Sequence, residues 1–171
     1  MRLFIAVPLP RDMQKTVFNI QEEYRARCAS GDFVPSGNHH VTLRFLGKSD
    51  ALADIARAMR EAVRDAKPFT LKLAGHDSFP KGQSQTAYLS LNGHLRELDR
   101  LHATLETALW EAGFVRGGRF HPHITLGRRV VPAGPAPDVP PAAFRVSSIV
   151  LFESRRASGQ MVYTPVHTET F

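Results

Sequence analysis

The 171-residue chain contains very little cysteine and no long hydrophobic run. Cys28 is its only cysteine, which excludes an intramolecular disulfide and a cysteine-rich metal site. The apolar start is interrupted by Pro8 and Pro10 and is too short for a signal sequence, and no segment approaches the length of a membrane span. We therefore expect a cytoplasmic protein without a membrane partner.

The chain is also poorer in acidic than in basic residues. It has 16 Asp and Glu against 22 Lys and Arg, for a formal net charge of +6, and Arg supplies most of the positive charge. Arg makes planar, bidentate contacts with phosphate, so an anionic partner such as RNA fits this balance. A solvated basic surface explains the same numbers equally well. The length suits one domain of two lobes over residues 1–171.

Apolar periodicity predicts both strands and helices. The predicted strands are 2–8, 40–46, 69–73, 86–91, 119–128, 144–152 and 161–167, and the predicted helices are 12–28, about 50–66 and 95–111. A polar loop is predicted around 79–82, and five prolines between 132 and 141 predict a second loop. The order of these elements is typical of an α+β fold.

The phrase His-aliphatic-Thr-Leu occurs twice, at residues 40–43 and 123–126. In an extended strand, residues i and i+2 point to the same face, so each copy puts an imidazole beside a hydroxyl while the aliphatic residues face the core. The copies lie about half the chain apart. This spacing predicts a pseudo-duplication, in which two lobes of sheet and helix face each other.

Two histidines can divide acid–base work, because the charge of this side chain changes readily near neutral pH. One accepts a proton from the water that attacks a phosphodiester, and the other protonates the leaving oxygen. Threonine hydroxyls can bind the non-bridging oxygens. A strained ribose 2′,3′-cyclic phosphate needs no metal for this reaction. One His-x-Thr alone is weak evidence, but its recurrence in matching strands, each beside arginine, is strong evidence.

Four segments carry a resemblance to a known family: RLFIAVPLP at the start, HHVTLRFLG and RFHPHITLGR around the two motifs, and LFESRRASGQMVYTPV near the end. The chain resembles the 2H phosphoesterases, and among them it is most similar to the RNA 2′,3′-cyclic phosphodiesterases, also called 2′-5′ RNA ligases. The resemblance covers nearly the whole chain in order. Phe33 stands where that family leads us to expect Trp, at a position remote from the chemistry.

The resemblance implies a bilobal, pseudo-twofold α+β fold, in which two antiparallel sheets face a central cleft and the helices lie outside. It implies that His40 is the proton donor, that His123 is the proton acceptor, and that Thr42 and Thr125 bind the phosphate. The substrate would be RNA with a 2′,3′-cyclic phosphate end, and the product a 2′-phosphomonoester. No cofactor or metal is implied, and we expect a monomer. The residues alone leave open which histidine is the acid.

Other side chains near the motifs are weaker candidates. Arg44 shares the face of His40 and Thr42, which favours phosphate binding, whereas Arg128 faces away unless the strand bends at Gly127. Either arginine could equally be a surface charge. His121 could join His123 in a metal site, but a third ligand is missing, and lining of the cleft is favoured.

Phe79 could stack on a base, although capping of the core is the favoured role. Three alternatives to metal-independent hydrolysis stay open. The first is 2′-5′ ligation of RNA in the same site, the second is a non-catalytic RNA-binding module, and the third is a metal-dependent esterase that uses His121 and His123.

Overall fold

Nine strands and three helices follow one another along the chain, and the computed structural model describes all residues from 1 to 171. They are β1 (Arg2–Pro8), α1 (Arg11–Arg25), β2 (Cys28–Phe33), β3 (His40–Lys48), α2 (Leu52–Val63), β4 (Phe69–Lys81), β5 (Ser84–Gly93), α3 (Leu95–Glu111), β6 (His123–Pro132), β7 (Ala143–Val146), β8 (Ser148–Ala157) and β9 (Gln160–Thr170). This order confirms the predicted α+β class. No helix has the length and apolar character needed to cross a membrane.

The strands form one antiparallel sheet in the order β7-β4-β5-β6-β3-β1-β8-β9, and β2 pairs with β6 beside this path. The two middle strands, β6 and β3, carry the two motifs and are joined through one residue pair, Val41 with Ile124. We call β3-β1-β8-β9 the first lobe and β6-β5-β4-β7 the second lobe. The two predicted sheets are therefore halves of one curled sheet. Each motif strand pairs mainly with a strand of its own lobe, and the two motif strands pair with each other through a single residue pair.

In both lobes, the second strand from the centre leads through a helix to the motif strand at the centre. In the first lobe, β1 leads through α1 to the motif strand β3, and Ala6 of β1 pairs with Thr42. In the second, β5 leads through α3 to the motif strand β6, and Tyr88 of β5 pairs with Thr125. The pseudo-twofold arrangement predicted from the repeated motif is thus present in the order and the pairing of the strands.

The helices cover the face of the sheet opposite to the motif side chains. They are amphipathic, with apolar residues every three or four positions, as in the Met13, Val17 and Ile20 face of α1 and the Leu98, Leu101 and Leu105 face of α3. These residues join the aliphatic residues of both motifs in one hydrophobic cluster. Burial of this cluster turns the histidines and threonines towards the other face of the sheet, which forms the cleft.

Several predicted bounds differ from the structure. The helix predicted over 12–28 ends at Arg25, and Cys28 begins β2, which was not predicted. The predicted loop around 79–82 belongs to the long β4–β5 hairpin, which turns at Gly82 with φ of 63°.

Two further differences have simple backbone causes. The strand predicted over 119–128 begins only at His123, directly after Pro122, which has no N–H to donate to a ladder. The strand predicted over 144–152 is interrupted at Ser147, because β7 pairs with β4 at one edge of the sheet while β8 pairs with β1 and β9.

Candidate active site

Each motif alternates between core and cleft as its spacing predicts. Val41 and Leu43 are buried in the first lobe, and Ile124 and Leu126 are fully buried in the second. The His and Thr of each motif are half-buried on the other face. In the first lobe the two side chains touch, since Nε2 of His40 lies 2.9 Å from the Thr42 hydroxyl.

Both imidazole rings are held in the same way. Nδ1 of His40 lies 2.8 Å from the carbonyl oxygen of Asn38, and Nδ1 of His123 lies 2.6 Å from the carbonyl oxygen of His121. A carbonyl can only accept a hydrogen bond, so Nδ1 carries the proton in each neutral ring. Nε2 is therefore the nitrogen that is free to accept or give a proton in the cleft.

Both histidines are easier to deprotonate than a free histidine. Burial lowers the pKa of His40 from its ordinary 6.5 to about 4, and the charges of Arg128 and His123 lower it further against the opposing bond to Asn38. Burial also lowers the pKa of His123, with smaller contributions from the charges of His121 and Arg128. The charge of Arg128 acts on both rings and the charge of His123 acts on His40, so these three side chains lie within electrostatic reach, and in the free protein the neutral form of both rings is favoured.

The same backbone irregularity follows both motifs. Thr42 and Arg44 pair with consecutive residues of β1, so Leu43 is an extra residue in β3. Leu126 is likewise an extra residue in β6, opposite β5. Such β-bulges reverse the alternation of the side chains beyond them. The fifth residue after each histidine consequently returns to the cleft side, and it is Phe45 in the first lobe and Arg128 in the second.

Arg128 therefore lies in the cleft. Strict alternation would point this side chain away from His123, but the bend near Gly127 reverses its direction. It lines a cavity of about 200 Å³ together with His40, Phe45 and Tyr163. The residue after it, Arg129, has a φ of 51°, which is rare for a side chain of this size and marks the second irregularity of the strand.

Arg44 lines the cavity on the His123 side, but the bulge at Leu43 turns its guanidinium towards α3 instead of placing it beside His40 and Thr42 as the alternation predicts. Its guanidinium is buried and forms an ion pair with Glu106 of α3, with Nη1 at 2.7 and 2.8 Å from the two carboxylate oxygens. It also donates to the carbonyl oxygens of Phe45 and Val115. In the free protein Glu106 therefore compensates the charge of this part of the cavity wall.

Aromatic side chains surround both histidines, and most of them were not predicted. Phe4 and Tyr163 lie 4.9 and 5.5 Å from the ring of His40, measured between ring centroids. Tyr88 and Phe79 lie 5.0 and 5.3 Å from the ring of His123. The histidine and aromatic residues belong to strands that are far apart in sequence, so no local signal could reveal these contacts.

Phe79 and His121 extend the wall of the cleft in the second lobe. Phe79 stacks on Tyr88 at 4.4 Å within the β4–β5 hairpin and lies 5.1 Å from His121, so it does not cap the core as favoured from the sequence. His121 lines the cleft beside His123, as predicted. No three His, Cys, Asp or Glu side chains are grouped in a set that could hold a metal ion.

Two cavities open beside the motifs, and Phe45, with 64% of its surface exposed, lines both. The cavity on the His123 side measures about 360 Å³ and includes Thr42, Phe79 and Arg119. A larger cavity of about 650 Å³ lies between α2 and α3 and contains neither motif. We place the candidate site at the pair of smaller cavities, because they contain the two motif histidines and Arg128, which the larger cavity lacks.

Comparison with known proteins shows the family to which the chain belongs. Residues 21–157 match the family model described as the 2′-5′ RNA ligase superfamily. The chain is 34% identical over 152 residues to the RNA 2′,3′-cyclic phosphodiesterase of Thermus thermophilus, covering 84% of this chain and 75% of that protein. It is 31% identical over 170 residues to the enzyme of the same name from Escherichia coli, covering 96% and 93%.

Solved structures show the same fold. The structure of Escherichia coli LigT complexed with 3′-AMP matches with a TM-score of 0.77 and 28% identity, covering 99% of this chain and 97% of that chain. A structure from Thermus thermophilus matches with a TM-score of 0.76 and 31% identity, again covering 99% and 97%.

Proposed function

The chain belongs to the 2′-5′ RNA ligase superfamily, and we propose that it hydrolyses the 2′,3′-cyclic phosphate ends of RNA without a metal, by a two-histidine acid–base mechanism. Its relatives named RNA 2′,3′-cyclic phosphodiesterase support the reaction. The observation that carries the mechanism is the matched pair of rings: each histidine uses Nδ1 on a backbone carbonyl and leaves Nε2 for the cleft.

The proposed reaction is a single in-line displacement at phosphorus. Nε2 of His123 accepts a proton from water, and the water oxygen forms a bond to phosphorus as the bond from phosphorus to the ribose 3′ oxygen breaks. His40 gives the proton on its Nε2 to the departing 3′ oxygen. The product carries a 2′-phosphomonoester and a free 3′ hydroxyl. The donor role of His40 and the acceptor role of His123 follow the family resemblance.

Three further side chains are proposed to stabilise the charge on the phosphoryl group. Thr42 and Thr125 donate hydrogen bonds to the non-bridging oxygens, and Arg128 supplies a positive charge beside both histidines. Arg44 has no part in this contact because Glu106 binds it.

A donor role for His40 requires that substrate binding changes its protonation. In the free protein the pKa of His40 is about 4, lowered mainly by burial and also by the charge of Arg128. The cyclic phosphate carries a negative charge, which favours the imidazolium and offsets the effect of Arg128. We therefore propose that His40 takes up its proton as the phosphate binds, while His123 stays neutral and ready to accept one.

The direct test is hydrolysis of RNA that ends in a 2′,3′-cyclic phosphate, in the presence of EDTA, with identification of the phosphate position in the product. We expect a 2′-phosphate from the wild type and a loss of about 10²–10⁴-fold in kcat for His40→Ala and for His123→Ala. Wild-type turnover in either variant would contradict the two-histidine mechanism.

The same assay separates the alternatives. Loss of activity in EDTA that returns with added metal would favour a metal-dependent esterase. RNA binding without turnover would favour a non-catalytic module. Two RNA halves, one with a 2′,3′-cyclic end and one with a 5′ hydroxyl, report 2′-5′ ligation as a longer product.

A further inference from the structure

Arg44 and Glu106 are the only fully charged side chains in the buried set. Their ion pair joins β3 of the first lobe to α3 of the second lobe. Burial alone would raise the pKa of Glu106, but the Gly117 amide and the Arg44 guanidinium outweigh burial and hold that pKa below its ordinary value. The carboxylate is therefore ionised, and the pair contains two full charges inside the protein.

Each member of the pair also binds the backbone close to a motif. Nε of Arg44 donates to the carbonyl oxygen of Phe45 at 3.2 Å, only three residues beyond Thr42, and the same guanidinium donates to the carbonyl oxygen of Val115. The carboxylate of Glu106 accepts the N–H of Gly117 at 2.9 Å. Val115 and Gly117 belong to the segment between α3 and β6, which has no regular secondary structure.

This segment leads directly into the second motif. A Cβ on Gly117 would lie 3.1 Å from Oε1 of Glu106 and 3.2 Å from Nε of Arg44, which is tighter than most Cβ contacts, so an alanine there would press on the ion pair. Phe120 stacks on His102 of α3 with ring centroids 4.0 Å apart. The next residue, His121, provides the carbonyl oxygen that holds Nδ1 of His123.

We propose that Arg44 and Glu106 are positioning residues that hold the two histidine motifs at a fixed separation. The backbone ladder between the two motif strands is one residue pair, Val41 with Ile124, and the apolar core that both motifs share has no fixed direction, so an oriented polar connection is needed to set the distance between the rings. The ion pair provides it, from the strand of His40 to the segment that orients His123. The proposal rests on the proposed function, because it assigns the pair a role in placing that acid and that base.

Two conservative variants test this role. Glu106→Gln keeps the size of the side chain but removes its charge, and Gly117→Ala adds one methyl group against the pair. We expect kcat to fall about 10²-fold in each, the effect of misplacing a reacting group by about 1 Å, with little change in KM. NMR signals of the His123 ring should shift, and the Gly117 amide should exchange faster with solvent.

A double variant separates positioning from support of the fold. Buried ion pairs can often be replaced by apolar residues without loss of stability, so Arg44→Met with Glu106→Leu should be more stable than Arg44→Met alone. The apolar pair cannot bind Val115 and Gly117, and we expect kcat to stay low. Recovery of kcat together with stability would overturn the proposal.

The exposed ion pair between Glu61 of α2 and Arg64, which directly follows that helix, provides the matched control. Glu61→Gln removes the same charge from a helix and should leave kcat and the His123 signals unchanged. If Glu106→Gln behaves like this control, the positioning role is wrong. If the wild type hydrolyses no 2′,3′-cyclic phosphate, the proposed function fails instead, and the NMR signals of His123 still decide whether the pair positions the ring.

Discussion

His40 and His123 occupy matching places in two lobes that follow the same path, yet their surroundings differ. His40 is bonded to Thr42 and lies against Phe4 and Tyr163, and its pKa falls to about 4, mainly through burial. No such bond joins His123 to its own threonine, and its ring lies against the buried Tyr88, the exposed Phe79 and His121. The duplication thus explains the matching geometry of the two rings, and the differences between the lobes give two identical side chains different surroundings.

The sharpest difference lies at the fifth residue after each histidine, where the first lobe has Phe45 and the second has Arg128. We expect Arg128→Met to lower kcat by about 10²–10³-fold, because it removes charge stabilisation from the transition state. The pKa of His40 should rise in this variant, since the charge of Arg128 lowers it. Steady-state kinetics and NMR titration measure these effects.

Arg129→Met is the control for that prediction. Arg129 is the adjacent arginine, is exposed, and forms an ion pair with Asp32 on β2. Its loss should leave kcat near the wild-type value. An equal loss in both variants would show that overall positive charge matters more than the cleft position of Arg128.

The difference in protonation predicts the pH dependence. The pKa values of His40 and His123 are both lowered in the free protein, and the mechanism needs His40 protonated and His123 neutral. We expect a bell-shaped profile of kcat/KM with its maximum on the acid side, falling about tenfold for each pH unit above roughly 6.5. The maximum of the kcat profile should lie at higher pH than that of kcat/KM, because the bound phosphate favours the imidazolium of His40. A flat profile of kcat/KM from pH 5 to 8 would contradict the assignment.

The first lobe also contains a buried histidine that the second lobe lacks. His39 is 2% exposed and bonded to Gln21, whereas Pro122 precedes the second motif. Burial, aided by the charge of His40, lowers the pKa of His39 from 6.5 to about 4. Its neutral form is favoured in the folded state, so stability is present above pH 6.5 and is lost as the pH falls towards 4.

We therefore expect the titration of His39 to lower the free energy of unfolding by about 1.5 kcal/mol between pH 6.5 and pH 5. Urea unfolding at the two pH values measures the loss. His39→Gln removes the titrating group, and the variant should lose less stability over this interval than the wild type. The same loss in both proteins would assign the acid sensitivity to other groups.

The threonines give the smallest expected difference. Thr42→Val and Thr125→Val each remove one hydrogen bond to the phosphoryl group, for a loss of roughly tenfold in kcat. Only Thr42→Val should also change the NMR signals of the His40 ring, because that hydroxyl lies 2.9 Å from Nε2. Thr107→Val, on the exposed face of α3, should change neither quantity. Equal effects on both histidine rings would show that the contact of Thr42 with His40 is not specific.

Strand alternation was sufficient to predict the side-by-side His and Thr and the buried aliphatic residues between them. It failed beyond the motifs, because the bulges at Leu43 and Leu126 depend on pairing with β1 and β5 and leave no mark in the local sequence. Arg44 was consequently expected in the cleft, and Phe45 was overlooked. Strand β2 was missed for a related reason: its segment CASGDF has no apolar alternation, and its pairing with β6 defines it.

Both histidines are oriented by backbone carbonyls, and this has a consequence for anion binding. Catalytic histidines are often oriented by a carboxylate, which would add a negative charge beside the phosphate and repel it. The carbonyl oxygens of Asn38 and His121 supply the same hydrogen bond without a net charge. The one acidic residue in the cavity walls, Glu106, is neutralised by Arg44. The cleft thus orients its two imidazoles without placing an uncompensated negative charge beside the proposed phosphate.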